Sequence, residues 1–252
     1  MPIPHTRISG RIAYTSDQPE RMGQVRGREE FSVTIHADGR RTLRAYSEID
    51  DAPNVVRDVV LSVDQSFRPI DCFVRISIAD EFRGSSWFHF RDHEAVCEGL
   101  TTQEGRFSQR YVMLEPIAAF GTHPIQGDAF VMASVPISGG PTSMLCHNIL
   151  LCSLDHRGAT GPMIMPPPGG IPIQFVGREK VQVAAGTFDA LHFRITETTE
   201  DDTSTRNAPG HHPPYDMWCT ADGDYIMLRL IVKGYMRTRF ELVEYQRHEA
   251  SC

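Results

Sequence analysis

His211-His-Pro-Pro-Tyr-Asp-Met-Trp-Cys-Thr220 is followed by Ala221-Asp-Gly-Asp224 and then by Tyr225-Ile-Met-Leu-Arg-Leu-Ile-Val232. After Gly223 the pattern has period two. Ile226, Leu228, Leu230 and Val232 fall on one face, with Met227, Arg229 and Lys233 on the other and Ile231 as an apolar exception. An alternation of this length predicts a half-buried β-strand. Asp222-Gly223 predicts a hairpin turn, because glycine takes a positive φ at no steric cost. A second alternation follows Gly234, with Met236, Thr238, Phe240 and Leu242 opposite Arg237, Arg239, Glu241 and Val243. One end of this hairpin carries His211, His212, Tyr215 and Trp218 beside an apolar wall, so a ligand pocket would have it as one side.

Working outward, the N-terminal half repeats the pattern. Residues 1–28 read as a poorly patterned arm. Phe31, Val33 and Ile35 then alternate, and Ala37-Asp38-Gly39 turns the chain. Val55, Val59, Leu61 and Val63 share a face in the next strand, and Ile70, Cys72, Val74, Ile76 and Ile78 in the one after. Further strands are predicted over 85–90, 93–100 and 106–114. Short turns between strands every ten to fifteen residues are the signature of an antiparallel meander, a barrel or a sandwich. Regularity returns over 173–183 and 187–197.

Between Glu115 and Ile171 the alternation stops. Prolines 116, 124, 136, 141, 162 and 166–168, with many glycines, exclude a regular meander. Ser143 to His156 has helical spacing through Leu145, Ile149 and Cys152, which predicts one helix flanked by long loops. Long loops inside a compact domain are more often functional than decorative.

Composition narrows the classes. The 252 residues carry a net charge of −7, which argues against a nucleic-acid surface, and 40% hydrophobic content supports an ordinary core. No apolar run is long enough for a membrane-spanning helix. Met1-Pro-Ile-Pro-His-Thr-Arg7 has no signal-peptide pattern, so a cytoplasmic location is expected. Cys72, Cys97, Cys146, Cys152, Cys219 and Cys252 include no C-x-x-C pair and are read as reduced thiols, with Cys72, Cys97 and Cys219 as small core residues.

Val181-Gln-Val-Ala-Ala-Gly-Thr-Phe188 and Tyr215-Asp-Met-Trp-Cys-Thr-Ala-Asp-Gly223 resemble the corresponding stretches of a group of uncharacterised bacterial β-barrel proteins. Those proteins are similar in outline to lipocalin-like and lipoprotein-carrier-like barrels. The resemblance covers the C-terminal third. It implies a curved antiparallel sheet around a cavity and supplies no reaction and no catalytic residue.

Candidate chemistry falls at a few positions. Phe120-Gly-Thr-His123-Pro-Ile-Gln-Gly-Asp128 is the densest polar group in the irregular segment. His123 can exchange a proton near neutrality and Asp128 can orient it; the plain alternative is a loop histidine on a backbone partner. His147, on the expected helix, is either an acid–base group at the barrel mouth or a satisfied core histidine. Tyr215 is the fourth catalytic candidate. Tyr215 and Trp218 either stack on an aromatic ligand or plug a barrel end. His212, Arg237 and Trp87 complete the ligand-binding candidates, and Arg237 and Trp87 face either cavity or solvent. Adjacent His211 and His212 point to opposite faces of a strand and no metal-ligand spacing occurs, so no metal is expected; the alternative is a site formed by one of them with His123 or His147. With no G-x-G-x-x-G, phosphate-binding loop or G-x-S-x-G elbow, no cofactor is expected.

The resulting expectation is one all-β domain over 1–252, a single antiparallel β-barrel whose insertion at 115–171 carries one helix and covers a mouth like a lid. Its expected function is that of a cofactor-independent lyase or isomerase on a small hydrophobic or aromatic molecule, for instance formaldehyde-releasing retro-aldol cleavage of a lignin-type dimer. The alternative is a non-catalytic carrier or sensor of a small hydrophobic ligand. No nucleic-acid or membrane partner is expected, and a homodimer is left open.

Overall fold

The computed structural model describes residues 5–155, 157–196, 213–234 and 236–250. Eight strands open the chain: β1 (Thr6–Ser16), β2 (Val25–Ile35), β3 (Arg41–Ile49), β4 (Val55–Val63), β5 (Pro69–Ile78), β6 (Glu81–Arg91), β7 (Glu94–Thr101) and β8 (Gly105–Val112). Each pairs antiparallel with the next. The irregular segment holds β9 (Ala119–Gly121), α1 (Ile125–Met132), β10 (Thr142–Cys146) and β11 (Ile149–Leu151). Five strands close the chain: β12 (Ile171–Val183), β13 (Gly186–Ile195), β14 (Tyr215–Thr220), β15 (Met227–Val232) and β16 (Thr238–His248).

One fourteen-stranded sheet results, in the order β10-β12-β13-β14-β15-β16-β1-β2-β3-β4-β5-β6-β7-β8. The fold is all-β, a large antiparallel barrel-like sheet with an insertion carrying one helix. Strands β9 and β11 form a separate parallel pair. The expected hairpin is present, with Trp218 opposite Arg229 and Leu230 opposite Phe240. Inward positions alternate with outward ones along all of β4 and along β5 from Cys72 onward, as a sheet with one buried face requires.

Two expectations are corrected here. Residues 1–28 are not an arm: β1 lies in the middle of the sheet, between β16 and β2. Its burial is interrupted around Ser9, Gly10 and Arg11, which removes a clean period of two from the sequence. The stretch 143–156 is not a helix. Thr142–Cys146 extends the sheet by pairing with β12, and Ile149–Leu151 pairs with β9. The short apolar steps that fit a helix also fit two three-to-five-residue strands, and pairing partners decide between them.

The helix stands earlier, after Pro124. Ile125, Gln126, Gly127, Ala129, Phe130, Val131 and Met132 are all buried. A helix buried all round has no amphipathic stripe for a sequence reading to find. Helix α1 is therefore interior. Polar side chains from strands far apart in the sheet reach in to the insertion. Glu29 of β2 bonds Ile125 and Gln126, and Ser86 of β6 donates to the Pro162 carbonyl at 2.7 Å. Gln109 of β8 accepts the Ile164 N–H at 2.8 Å, and Gln126 bonds the Tyr225 carbonyl and the Met227 N–H. The buried face of the sheet packs against its own insertion, whose Ile125, Ala129, Phe130 and Met132 join the same apolar core.

Candidate functional site: a cavity beside a buried charge cluster

A cavity of about 400 Å³ remains where the insertion meets β13 and β14. Val131, Leu145, Leu151, Leu154 and Ile195 supply much of its wall, with prolines 167, 168 and 172. Three of the expected site residues, His123, Asp128 and Tyr215, line it together.

His123 sits between β9 and α1 with φ of 73°, a conformation uncommon for a side-chain-bearing residue. Its Nε2 lies 3.0 Å from the Ser153 carbonyl oxygen. That nitrogen therefore donates, and Nδ1 is the basic nitrogen of the neutral ring. The segment is pinned from below by β9 and β11, where Cys152 N–H donates to the Gly121 carbonyl at 3.0 Å. Gly121 allows the close approach, since a Cβ there would sit 2.5 Å from Leu151 Cδ2.

Asp128 lies in the first turn of α1, and the surface it keeps faces the cavity. Burial and then the neighbouring Glu29 charge push its carboxyl up to about 7, against the lowering effects of Arg57 and of the His123 backbone N–H it accepts. Tyr215, at the start of β14, has its hydroxyl raised well above its ordinary range, first by burial and then by Asp128.

Behind Asp128 is a cluster that the sequence reading missed. Glu29 is fully buried and accepts the N–H groups of Ile125 at 2.6 Å and Gln126 at 3.0 Å and the Tyr14 hydroxyl at 2.9 Å. Burial still wins over these three bonds and lifts the Glu29 carboxyl to about 7. Arg57 is 2% exposed; its Nη2 donates to the Gly158 carbonyl, and burial lowers its pKa. A signal for both was present. Glu29 is two residues before Phe31 and Arg57 two after Val55, so each occupies an inward step of an alternating strand. A charged residue at such a step is either a register error or a functional or structural charge, and here it is the latter.

Four of the remaining candidates, His147, Trp218, Trp87 and Arg237, lie elsewhere and are corrected. His147 is exposed in the connection between β10 and β11, beside Gly170, and does not line the cavity, because the helix expected to aim it inward does not exist. Trp218 faces outward, stacked on His192 at 4.3 Å with its indole N–H donating to Glu179 at 2.7 Å. Trp87 is 47% exposed and stacks on His89. Arg237 is exposed, on the face of β16's approach opposite Thr238. His212 lies outside the described residues. The five described cysteines are free and buried.

No protein-family model matches this chain, and no curated protein does. Among solved structures, the chain is similar to a β-barrel-like protein of the DUF1849 domain of unknown function from Brucella abortus. The TM-score is 0.55 at 11% identity, covering 98% of each chain. That likeness is one of fold. A DUF1089 family protein from Pseudomonas aeruginosa aligns with a TM-score of 0.42 at 6% identity, over 79% of this chain and 87% of that one. A putative exported protein with a YmcC-like fold from Bacteroides fragilis aligns at 0.30 and 8% identity, over 95% of each. At those two scores no relation is drawn.

Proposed function

We propose that this barrel binds one small, largely apolar molecule in its cavity, as a carrier or sensor of the lipocalin-like or lipoprotein-carrier-like kind. The observation that carries the reading is the cavity itself: about 400 Å³, walled by leucine, isoleucine, valine and proline, with His123, Asp128 and Tyr215 as the polar side. Ligand sites commonly have this composition, mostly apolar with a few polar groups that fix orientation, and volumes of roughly 300–1,000 Å³. The five buried free thiols fit a reducing compartment, and a cytoplasmic setting belongs to the same proposal. The test is a thermal-shift and native mass-spectrometry screen with alkyl and aromatic compounds. Saturable binding that Val131→Phe abolishes supports it; a panel that leaves the melting temperature and mass unchanged overturns it.

An acid–base enzyme is the second reading, a cofactor-independent lyase or isomerase whose narrowest form is formaldehyde-releasing cleavage of an aromatic dimer. A specific observation favours it: Asp128, with its carboxyl near 7, adjoins a histidine held as one tautomer in a strained backbone conformation. Perturbed acids and strained residues gather at catalytic sites. Turnover of a bound compound, lost in both His123→Gln and Asp128→Asn, separates the enzyme from the carrier.

A further inference from the structure

His123 is also part of the wall of a second, smaller cavity of about 60 Å³. Around it stand Arg26, Arg57 and Arg157, with Tyr14 and Thr238. One water takes ~10–15 Å³ of cavity, so this space admits a group of a few heavy atoms. Guanidinium groups gathered round such a space match the planar, multi-donor recognition of carboxylate and phosphate.

The charges there are incompletely matched. Arg26 is held by Asp51, Nε to Oδ2 at 2.6 Å, and by Thr238. Arg157 donates to two neutral acceptors, the Asp51 carbonyl at 2.7 Å and the Pro53 carbonyl. Arg57 is the decisive group. It is 98% buried by its 2% exposure, its Nη2 is spent on a neutral carbonyl, and its Nε has no acceptor among the described residues. A buried guanidinium with a spare donor is costly unless something anionic completes it. The adjacent Glu29 and Asp128 are each held up to about 7, so near neutrality neither is a full counter-charge, and Asp155 is the remaining carboxylate that acts on Arg57.

We propose that the small cavity is a binding site for a compact oxyanion, a carboxylate or a phosphate, held by Arg57 and Arg157. The anion is either free or the head of a molecule whose apolar body occupies the large cavity across His123. The second form rests on the function proposed above; the first does not.

Titration calorimetry on the full chain with decanoate, 1-decanol and inorganic phosphate tests it. With a head group as the source, decanoate binds about tenfold or more tighter than decanol, and Arg157→Gln removes that preference. Arg157 is only partly buried, so this variant keeps the test alive if Arg57→Met does not fold. With a free anion as the source, phosphate binds and Arg157→Gln weakens it, while neither decanoate nor decanol binds; the anion site then stands and the apolar-ligand reading falls. Equal binding of decanoate and decanol, untouched by Arg157→Gln and with no phosphate binding, overturns the anion site and leaves the apolar-ligand reading standing. No binding of any probe overturns both.

Discussion

The Glu29 carboxylate accepts the backbone N–H of Ile125 at 2.6 Å, from 96 residues away in sequence. Helix α1 begins after Pro124, which offers no side-chain cap. The orphan N–H groups of its first turn are satisfied instead by a strand residue. Carboxylates at helix N-termini also gain from the helix dipole. One ionisable side chain thus joins the sheet to the helix that carries Asp128.

Glu29→Gln destabilises the fold by about 1–3 kcal/mol, because a glutamine amide turns its NH₂ toward an N–H that needs an acceptor. Urea unfolding at pH 7 reads this as a lower midpoint at unchanged m. An unchanged midpoint would show that the cap contributes nothing.

The Glu29 carboxyl also makes stability depend on pH in an unusual direction. Its folded value is raised, from 4.5 to about 7. Below 4.5 it is protonated in both folded and unfolded chains, and its contribution is complete. Between 4.5 and 7 the unfolded chain releases the proton first, so stability falls as pH rises, by about 1.4 kcal/mol per pH unit at most. Asp128 is raised for the same reason, and the two titrate as a coupled pair. The stability difference between wild type and Glu29→Gln should shrink from pH 5 to pH 8. A difference independent of pH would mean that Glu29 is ionised in the fold throughout.

Asp216 acts with the opposite sign. Burial pushes its carboxyl up, but hydrogen bonds from His192, Lys233 and Arg194 outweigh that and hold it well below the usual carboxylate range. His192 Nε2 and Arg194 Nε each lie 2.8 Å from its Oδ1. Its contribution is present above about pH 4 and is lost on acidification. Asp216→Asn is expected to lower the melting temperature at pH 7 and to lose less than wild type between pH 5 and pH 3; equal acid losses would remove Asp216 from this role.

Gly158→Ala tests the seat of Arg57. Gly158 has φ of 62°, and a Cβ there would press on the buried Arg57 guanidinium and push it toward the small cavity. The expected cost is about 1–3 kcal/mol, read by chemical denaturation. Gly169→Ala, with φ of 72° but nothing near its Cβ, isolates the backbone part. If the two cost the same, the contact with Arg57 is immaterial.

Much of the sheet was legible because one face is dry and the other wet: in β4, in β6 and in the first half of β16 the period of two follows directly from that asymmetry. The interior was harder to read. Helix α1 is apolar on every side, so it has no periodic contrast, and the polar run His123 to Asp128 read as a loop. Tyr215, His123 and Asp128 do share the cavity, because local irregularity and hydrogen-bonding side chains mark the places where a sheet leaves space. His147 was misplaced with its helix, and Trp218 and Arg237 stand on the outer face or the exposed approach to a strand. Glu29 and Arg57 were overlooked because apolar neighbours on the same face masked the single charged step.

The place of β1 has a consequence for biosynthesis. Its two neighbours are β2, next in the chain, and β16, the last strand, with Arg11 and Glu244 paired across 233 residues. On a ribosome, strands β1 through β8 can zip together as they emerge, yet the outer rim of β1 stays bare until β16 has been made. Such long-range closure slows folding, and an unpaired rim invites pairing with another copy. A nascent chain stalled before β16 would carry that adhesive rim in the centre of its future sheet.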